Sequence, residues 1–214
     1  MDTLPIELVT AIAVDSFKLF RLLLRVNTIG QRLCESYPQL IARKKFITVM
    51  NNPLTTCTLL NGHLHSFNDK PALIYNHYHI HHQKWYRYGK LHRENDQPAF
   101  IDNNSNCKIW YWKGKMHRDC DQPARISPAG IKEWYWHGKL HRSGDQPASI
   151  SANGNRSWYW KGKLHRENDL PAIEYQNGNK KWFWKGKQHR KGNLPTHVDF
   201  NGNVQHFIDD EYIC

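Results

Sequence analysis

From about residue 60 onward, short runs in which aromatic or aliphatic residues alternate with polar ones are separated by turn-forming punctuation rich in glycine and proline. Alternation with a period of two over a few residues, bounded by turn signals, predicts β-strands. On a strand, residues i and i+2 share a face. Trp158 and Trp160 are therefore expected on one side with Tyr159 on the other, and Trp110/Trp112, Trp134/Trp136 and Trp182/Trp184 repeat the arrangement. Asn153-Gly154, Asn177-Gly178 and Asn201-Gly202 supply the strongest local hairpin signal, since both residues tolerate the positive φ of a type I′ turn. Ala129-Gly130 is a weaker version. The beginning of the chain follows a different rule. Leu4, Leu8 and Ile12, then Leu19, Leu22, Leu23 and Val26, recur at helical spacing, with Pro5 suited to a first turn and Ser36-Tyr37-Pro38 to a last one. Three short helices are predicted over residues 1–48.

The strand pattern is itself periodic. His65, His92, His117, His141, His165 and His189 are spaced by 27, 25, 24, 24 and 24 residues, each three residues after a glycine and six before a proline. A recurrence of this length is the mark of a repeat architecture in which each unit packs on its neighbours. The expected fold is mainly β: an elongated antiparallel meander of tandem two-stranded units over residues 61–214, preceded by the helical segment at 1–48 and a linker at 49–60. The end copies deviate, with Asn193 where earlier units have Asp, Thr196 where they have Ala, and an acidic finish at Asp209-Asp210-Glu211 suited to discouraging edge-to-edge pairing.

Composition narrows the chemistry. A net charge of +11 predicts affinity for an acidic partner, whether nucleic acid, anionic membrane or protein. Five cysteines without a C-x-x-C pair indicate neither a disulfide framework nor a zinc ribbon, and fit a reducing compartment. No apolar run reaches the length of a membrane span and no basic leader opens the chain, so an intracellular protein, neither secreted nor transmembrane, is expected. The recurring His-Arg-x-x-Asp set (His92/Asp96, His117/Asp121, His141/Asp145, His165/Asp169) has the residue types of a charge relay, but a catalytic set is needed once, whereas recurrence along a ladder points to a structural turn. No catalytic residue and no cofactor are assigned. In Asn76–His82, His77, His79 and His81 would share a strand face and form a weak candidate metal site, against a solvated loop insertion as the alternative. Lys113, Lys115, Arg118, Lys139, Arg142, Lys161, Lys163, Arg166, Lys185, Lys187 and Arg190 recur on equivalent turns and should form a basic stripe. Such a stripe beside aromatics suits phosphate backbones, with anionic lipid or plain solubility as the other readings. The tryptophans form either a packing spine or an adhesive row, and a sheet with two open faces leads to the expectation of a homodimer.

The pattern W-Y-x-x-G-K-x-H-R-x-x-D-x-P-A, recurring over roughly residues 60–207, resembles a divergent MORN (membrane occupation and recognition nexus) repeat. Here Arg or Ser follows the histidine in place of the usual Gly. The variant is similar to repeats of giant viruses such as the marseilleviruses, and so implies a viral protein acting in host cytoplasm or nucleus. Leu4-Pro5-Ile6-Glu7-Leu8, followed by Leu22, Leu23 and Val26, resembles an F-box, although the usual Trp after the Val is missing. That likeness implies that Leu4, Pro5, Leu8 and Ile12 dock a Skp-type adaptor of a ubiquitin ligase; the alternative is a helical cap on the first strand. Together the resemblances imply a non-enzymatic protein-protein interaction scaffold, with nucleic-acid or anionic-membrane binding through the stripe as the other function.

Overall fold

The computed structural model describes residues 47–51, 55–77 and 80–213. The expected helices, with Leu4, Pro5, Leu8 and Ile12, lie outside the described residues. The described chain is mainly β: a long antiparallel sheet of 16 strands runs from Ile47–Asn51 to Glu211–Ile213, with neighbours in space following the order of the chain. Residues 49–60, expected as a linker, hold most of the first strand and all of the second, Thr55–Leu60. Among the described residues, no helix is long and apolar enough to cross a membrane.

Beside the long sheet stand five two-stranded hairpins: Tyr86–Arg87 with Lys90–Leu91, Tyr111–Trp112 with Lys115–Met116, Tyr135–Trp136 with Lys139–Leu140, Tyr159–Trp160 with Lys163–Leu164, and Phe183–Trp184 with Lys187–Gln188. A full unit thus contributes four short strands, two to each ladder, and the two-stranded expectation is corrected accordingly. The chain changes ladder at the first tryptophan of each W-Y-W run. Trp158 donates its backbone N–H to Ala172 O at 2.8 Å in the long sheet, and its carbonyl accepts from His165 N at 3.1 Å, closing the lateral hairpin. Backbone donors and acceptors must all find partners, and here successive residues find them in different sheets.

This corner also gives the two tryptophans of a pair, expected on one side of a strand, different surroundings. Trp110, Trp134 and Trp158 are 7%, 7% and 6% exposed, while Trp112, Trp136 and Trp160 are 39%, 51% and 49% exposed. The buried indoles pack with fully buried Ala99, Ala124, Ala148 and Ala172, so the core is a thin line of one tryptophan and one alanine per unit. Burying an indole contributes up to about 5 kcal/mol by area. In the last unit Thr196 takes the alanine place and satisfies its buried hydroxyl by accepting from Gln188 Nε2 at 3.2 Å and Phe207 N at 3.1 Å.

The turns differ from expectation as well. The pair of consecutive left-handed residues that a type I′ turn needs lies at Lys113-Gly114 (φ 48° and 85°), His137-Gly138 (47° and 87°), Lys161-Gly162 (49° and 89°) and Lys185-Gly186 (50° and 99°). In the Ser151–Asn155 turn only Gly154 is left-handed (φ 83°), and the paired bonds Gly154 N to Ser151 O (2.9 Å) and Ser151 N to Asn155 O (3.0 Å) close a longer loop. This is the three-residue hairpin connection with glycine at its bulge position.

Candidate functional site along the hairpin stack

Each recurring polar residue has a defined task at the junction between units. Arg118, Arg142, Arg166 and Arg190 each fork onto the aspartate of the preceding unit, Asp96, Asp121, Asp145 and Asp169, with N···O distances of 2.7, 2.8, 2.7 and 2.6 Å. Arg93 does the same with Asp69 at 2.6 Å. The guanidinium lies flat on the tryptophan of its own unit, 3.8 Å from the Trp110 ring centre, 3.9 Å from Trp134, 3.7 Å from Trp158 and 4.2 Å from Trp182. The carbonyl of the same aspartate accepts from the indole Nε1 of the next unit, as from Trp134 to Asp121 O at 3.0 Å and from Trp158 to Asp145 O at 3.1 Å. One aspartate therefore holds both the arginine and the tryptophan that follow it. The carboxylates face solvent, which limits the ion pair to about 1 kcal/mol or less, and the guanidinium–indole contact adds roughly 0.5–2 kcal/mol. The hydrogen bonds from the arginines hold the carboxyls of Asp69, Asp96, Asp121, Asp145 and Asp169 below the usual carboxylate range, against a smaller opposing effect of burial.

The histidines work at the same junctions. His92, His117, His141 and His165 meet the rings of Trp112, Trp136, Trp160 and Trp184 edge-on, with centroids 4.4 to 4.6 Å apart. Nδ1 of His92 and His165 also accepts the backbone N–H of Lys113 and Lys185, at 3.4 Å in both cases. Asp96, Asp121, Asp145 and Asp169 do not hydrogen-bond or ion-pair with the histidine four residues before them; each reaches into the following unit instead. The geometry of a charge relay is therefore not assembled by these pairs.

Assigning the arginines to junctions changes the basic stripe. Arg118, Arg142, Arg166 and Arg190 are only 11 to 16% exposed at their side chains, and so drop out of it. Lys113, Lys115, Lys139, Lys161, Lys163, Lys185 and Lys187 stay exposed. Register sets Trp112 opposite Lys115, Trp136 opposite Lys139, Trp160 opposite Lys163 and Trp184 opposite Lys187, so each indole shares its hairpin face with a lysine. The turn lysines Lys113, Lys161 and Lys185 place Nζ over the neighbouring indoles, 5.6 Å from the ring centre in each case. Successive hairpins are tied by a backbone bond from Gly138 to Met116 O (2.8 Å), Gly162 to Leu140 O (2.8 Å) and Gly186 to Leu164 O (2.9 Å). The outcome is a stack of rungs that presents the exposed indoles of Trp112, Trp136 and Trp160 beside their lysines.

A second basic row went unnoticed in the sequence. Lys108, Lys132, Arg156 and Lys180, each two residues before a buried tryptophan, are exposed on the long sheet and pair across strands with Ile126, Ile150 and Glu174. Their even spacing was the available signal. The histidine cluster is rearranged too. The chain turns back between residues 77 and 80, and the register places His77 opposite Ile80 but His81 opposite Asn76, one rung apart on partner strands. Adjacent rungs of a strand pair present opposite faces, so His77 and His81 do not share one. His79 lies outside the described residues, and His81 Nδ1 sits 3.2 Å from Asn76 Oδ1. Among the described residues, no group of three or more His, Cys, Asp or Glu is arranged to hold a metal ion. In comparisons with known proteins, no family model matches the chain and no curated protein matches it.

Proposed function

We propose that the chain is a non-enzymatic interaction scaffold of MORN-like units, whose working surface is the outward face of the hairpin stack. One observation carries this reading. In the units of Trp110, Trp134 and Trp158 the aspartate, arginine, histidine and first tryptophan are engaged at the junctions, whereas the second tryptophan (Trp112, Trp136, Trp160) and its lysines are left facing solvent. Solvent-exposed indoles recurring along one face are the chemistry of a binding surface, since a large amphipathic ring gains most when a partner covers it. On this reading the F-box-like segment, through Leu4, Pro5, Leu8 and Ile12, docks a second protein of the adaptor class, and a homodimer is one way of covering the row.

Capture from cell lysate with the intact chain, a Trp112/Trp136/Trp160-to-Ser variant and a Leu4/Leu8-to-Asp variant tests the proposal. The expected result is a discrete set of partners lost with the first variant and a different protein, the adaptor, lost with the second. Identical capture by the intact chain and the tryptophan variant would remove the stack as the working surface.

The basic stripe supplies the second reading, in which the partner is a polyanion. It is favoured by the register that sets each exposed indole, Trp112, Trp136 and Trp160, directly opposite a lysine.

A further inference from the structure

We infer that the row formed by Trp112, Trp136, Trp160 and Trp184 with its flanking lysines is a track for single-stranded nucleic acid. The inference rests on the scaffold reading above and names the ligand of the same surface. Each rung offers one indole and two cations, except that His137 stands at the turn position of the Trp136 rung and that the Trp184 indole is half-buried, with Lys191 Nζ also over its ring at 5.7 Å. Single strands are held by the same combination without sequence preference: cations follow the phosphates while aromatic rings stack on bases, every base having a π-face.

The repeat length suits a strand. Two β-strands per rung at about 4.8 Å give a rise of roughly 10 Å from indole to indole. A stacked single strand advances about 3.4 Å per nucleotide. Every third base can therefore meet an indole, and two of every three phosphates can meet a lysine. Four rungs then accommodate about nine to twelve nucleotides.

Two further features fit a track with a defined length. The rung that follows Lys185-Gly186-Lys187 is Asp209-Asp210-Glu211; it is stacked on its predecessor by Gln188 N to Asp210 Oδ1 at 2.8 Å, and its reversed charge repels a phosphate chain at that end. At the other end Arg87 replaces the indole and is paired with Glu94. In addition, Lys113, Lys161 and Lys185 sit in the left-handed conformation at φ 48°, 49° and 50°, where asparagine is favoured on local grounds, as at Asn61 (φ 50°) in the equivalent turn. Tyr88 (φ 48°) and His137 (φ 47°) hold the same position in their hairpins, so lysine occupies it in three of the four rungs that carry an outer indole.

An acidic peptide would answer the charge but not the indoles, and an anionic membrane would take both without using their fixed spacing of roughly 10 Å. Anisotropy titrations of the full chain compare a labelled single strand of about twelve nucleotides, the same sequence as a duplex, polyglutamate, and vesicles containing phosphatidylserine. The expected order places the single strand tightest, with affinity rising with length and levelling off near nine to twelve nucleotides. Indole fluorescence should be quenched on binding. Trp160→Leu should weaken binding roughly tenfold. The Lys113/Lys161/Lys185-to-Gln variant, whose turns keep their glycine, should reduce the slope of log affinity against log salt by about 2, at ~0.7 per phosphate contact. Equal or tighter binding of duplex, polyglutamate or vesicles, or no response to either variant, overturns the inference. If lysate capture still depends on the tryptophan row, resists nuclease, and no oligonucleotide binds, the scaffold reading stands and this inference alone fails.

Discussion

A lysine in the left-handed region is an unusual choice for the first position of a tight hairpin, and its recurrence at Lys113, Lys161 and Lys185 makes it a residue-scale test of the fold. The left-handed region costs a non-glycine L-residue about 1–2 kcal/mol, a penalty that asparagine relieves in part through local hydrogen bonding. Lys161→Asn is therefore expected to stabilise the chain by about 0.5–1 kcal/mol in denaturant unfolding. If the variant is less stable, the side chain of Lys161 contributes packing that its exposure does not suggest. The turn chemistry was legible only in part. Glycine at each hairpin can be read from the chain, but Asn153-Gly154, Asn177-Gly178 and Asn201-Gly202 carry the stronger local signal for the type I′ turn that the Lys-Gly pairs adopt. Pairing decides this: the strands flanking Asn153-Gly154 are held in a register that needs a longer loop, while Trp160 directly opposite Lys163 leaves room for two residues alone.

At the scale of elements, what joins one unit to the next is a repeated clamp, and it carries a pH dependence with a definite sign. Hydrogen bonds from the arginines hold the carboxyls of Asp69, Asp96, Asp121, Asp145 and Asp169 below the ordinary value. Their contribution to stability is thus fully present above the unfolded carboxylate pKa of about 4 and is lost as pH falls through the lower folded values. Asp145→Asn should lower the melting temperature at neutral pH, and the gap to the intact chain should close as pH falls below the unfolded carboxylate value and through the lowered folded one. A gap that stays constant across the acid range would show that the carboxylate charge is not what Arg166 recognises. The repeat length and the structural use of His-Arg-x-x-Asp were open to a reader of the sequence, because four recurrences at near-even spacing cannot all be sites. The partner of each aspartate was not. A contact from Asp121 to Arg142 joins residues one period apart, and periodicity alone does not say whether a side chain reaches within its own unit or into the next.

For the whole molecule, two ladders that share a corner explain how a chain with only 39% apolar residues forms a core. Each unit buries one indole and one alanine against its neighbours, so stability builds up along the stack and no unit relies on a distant one. The strands and their order followed from alternation and repeat, whereas the second ladder did not, since a strand that changes sheets at a tryptophan reads in sequence as one uninterrupted strand. The same corner separates the two tryptophans of each run, one for packing and one for the outside. That division of labour is the claim on which the function rests. It is tested most directly by comparing the unfolding of Trp158→Ala and Trp160→Ala. Loss of the buried indole, with its bond to Asp145 O and its stack under Arg166, should cost about 3–5 kcal/mol. That corresponds to a fall of roughly 10 °C or more. Loss of the exposed one should cost about 1 kcal/mol or less while abolishing most of the binding. Equal destabilisation by both substitutions would contradict the account.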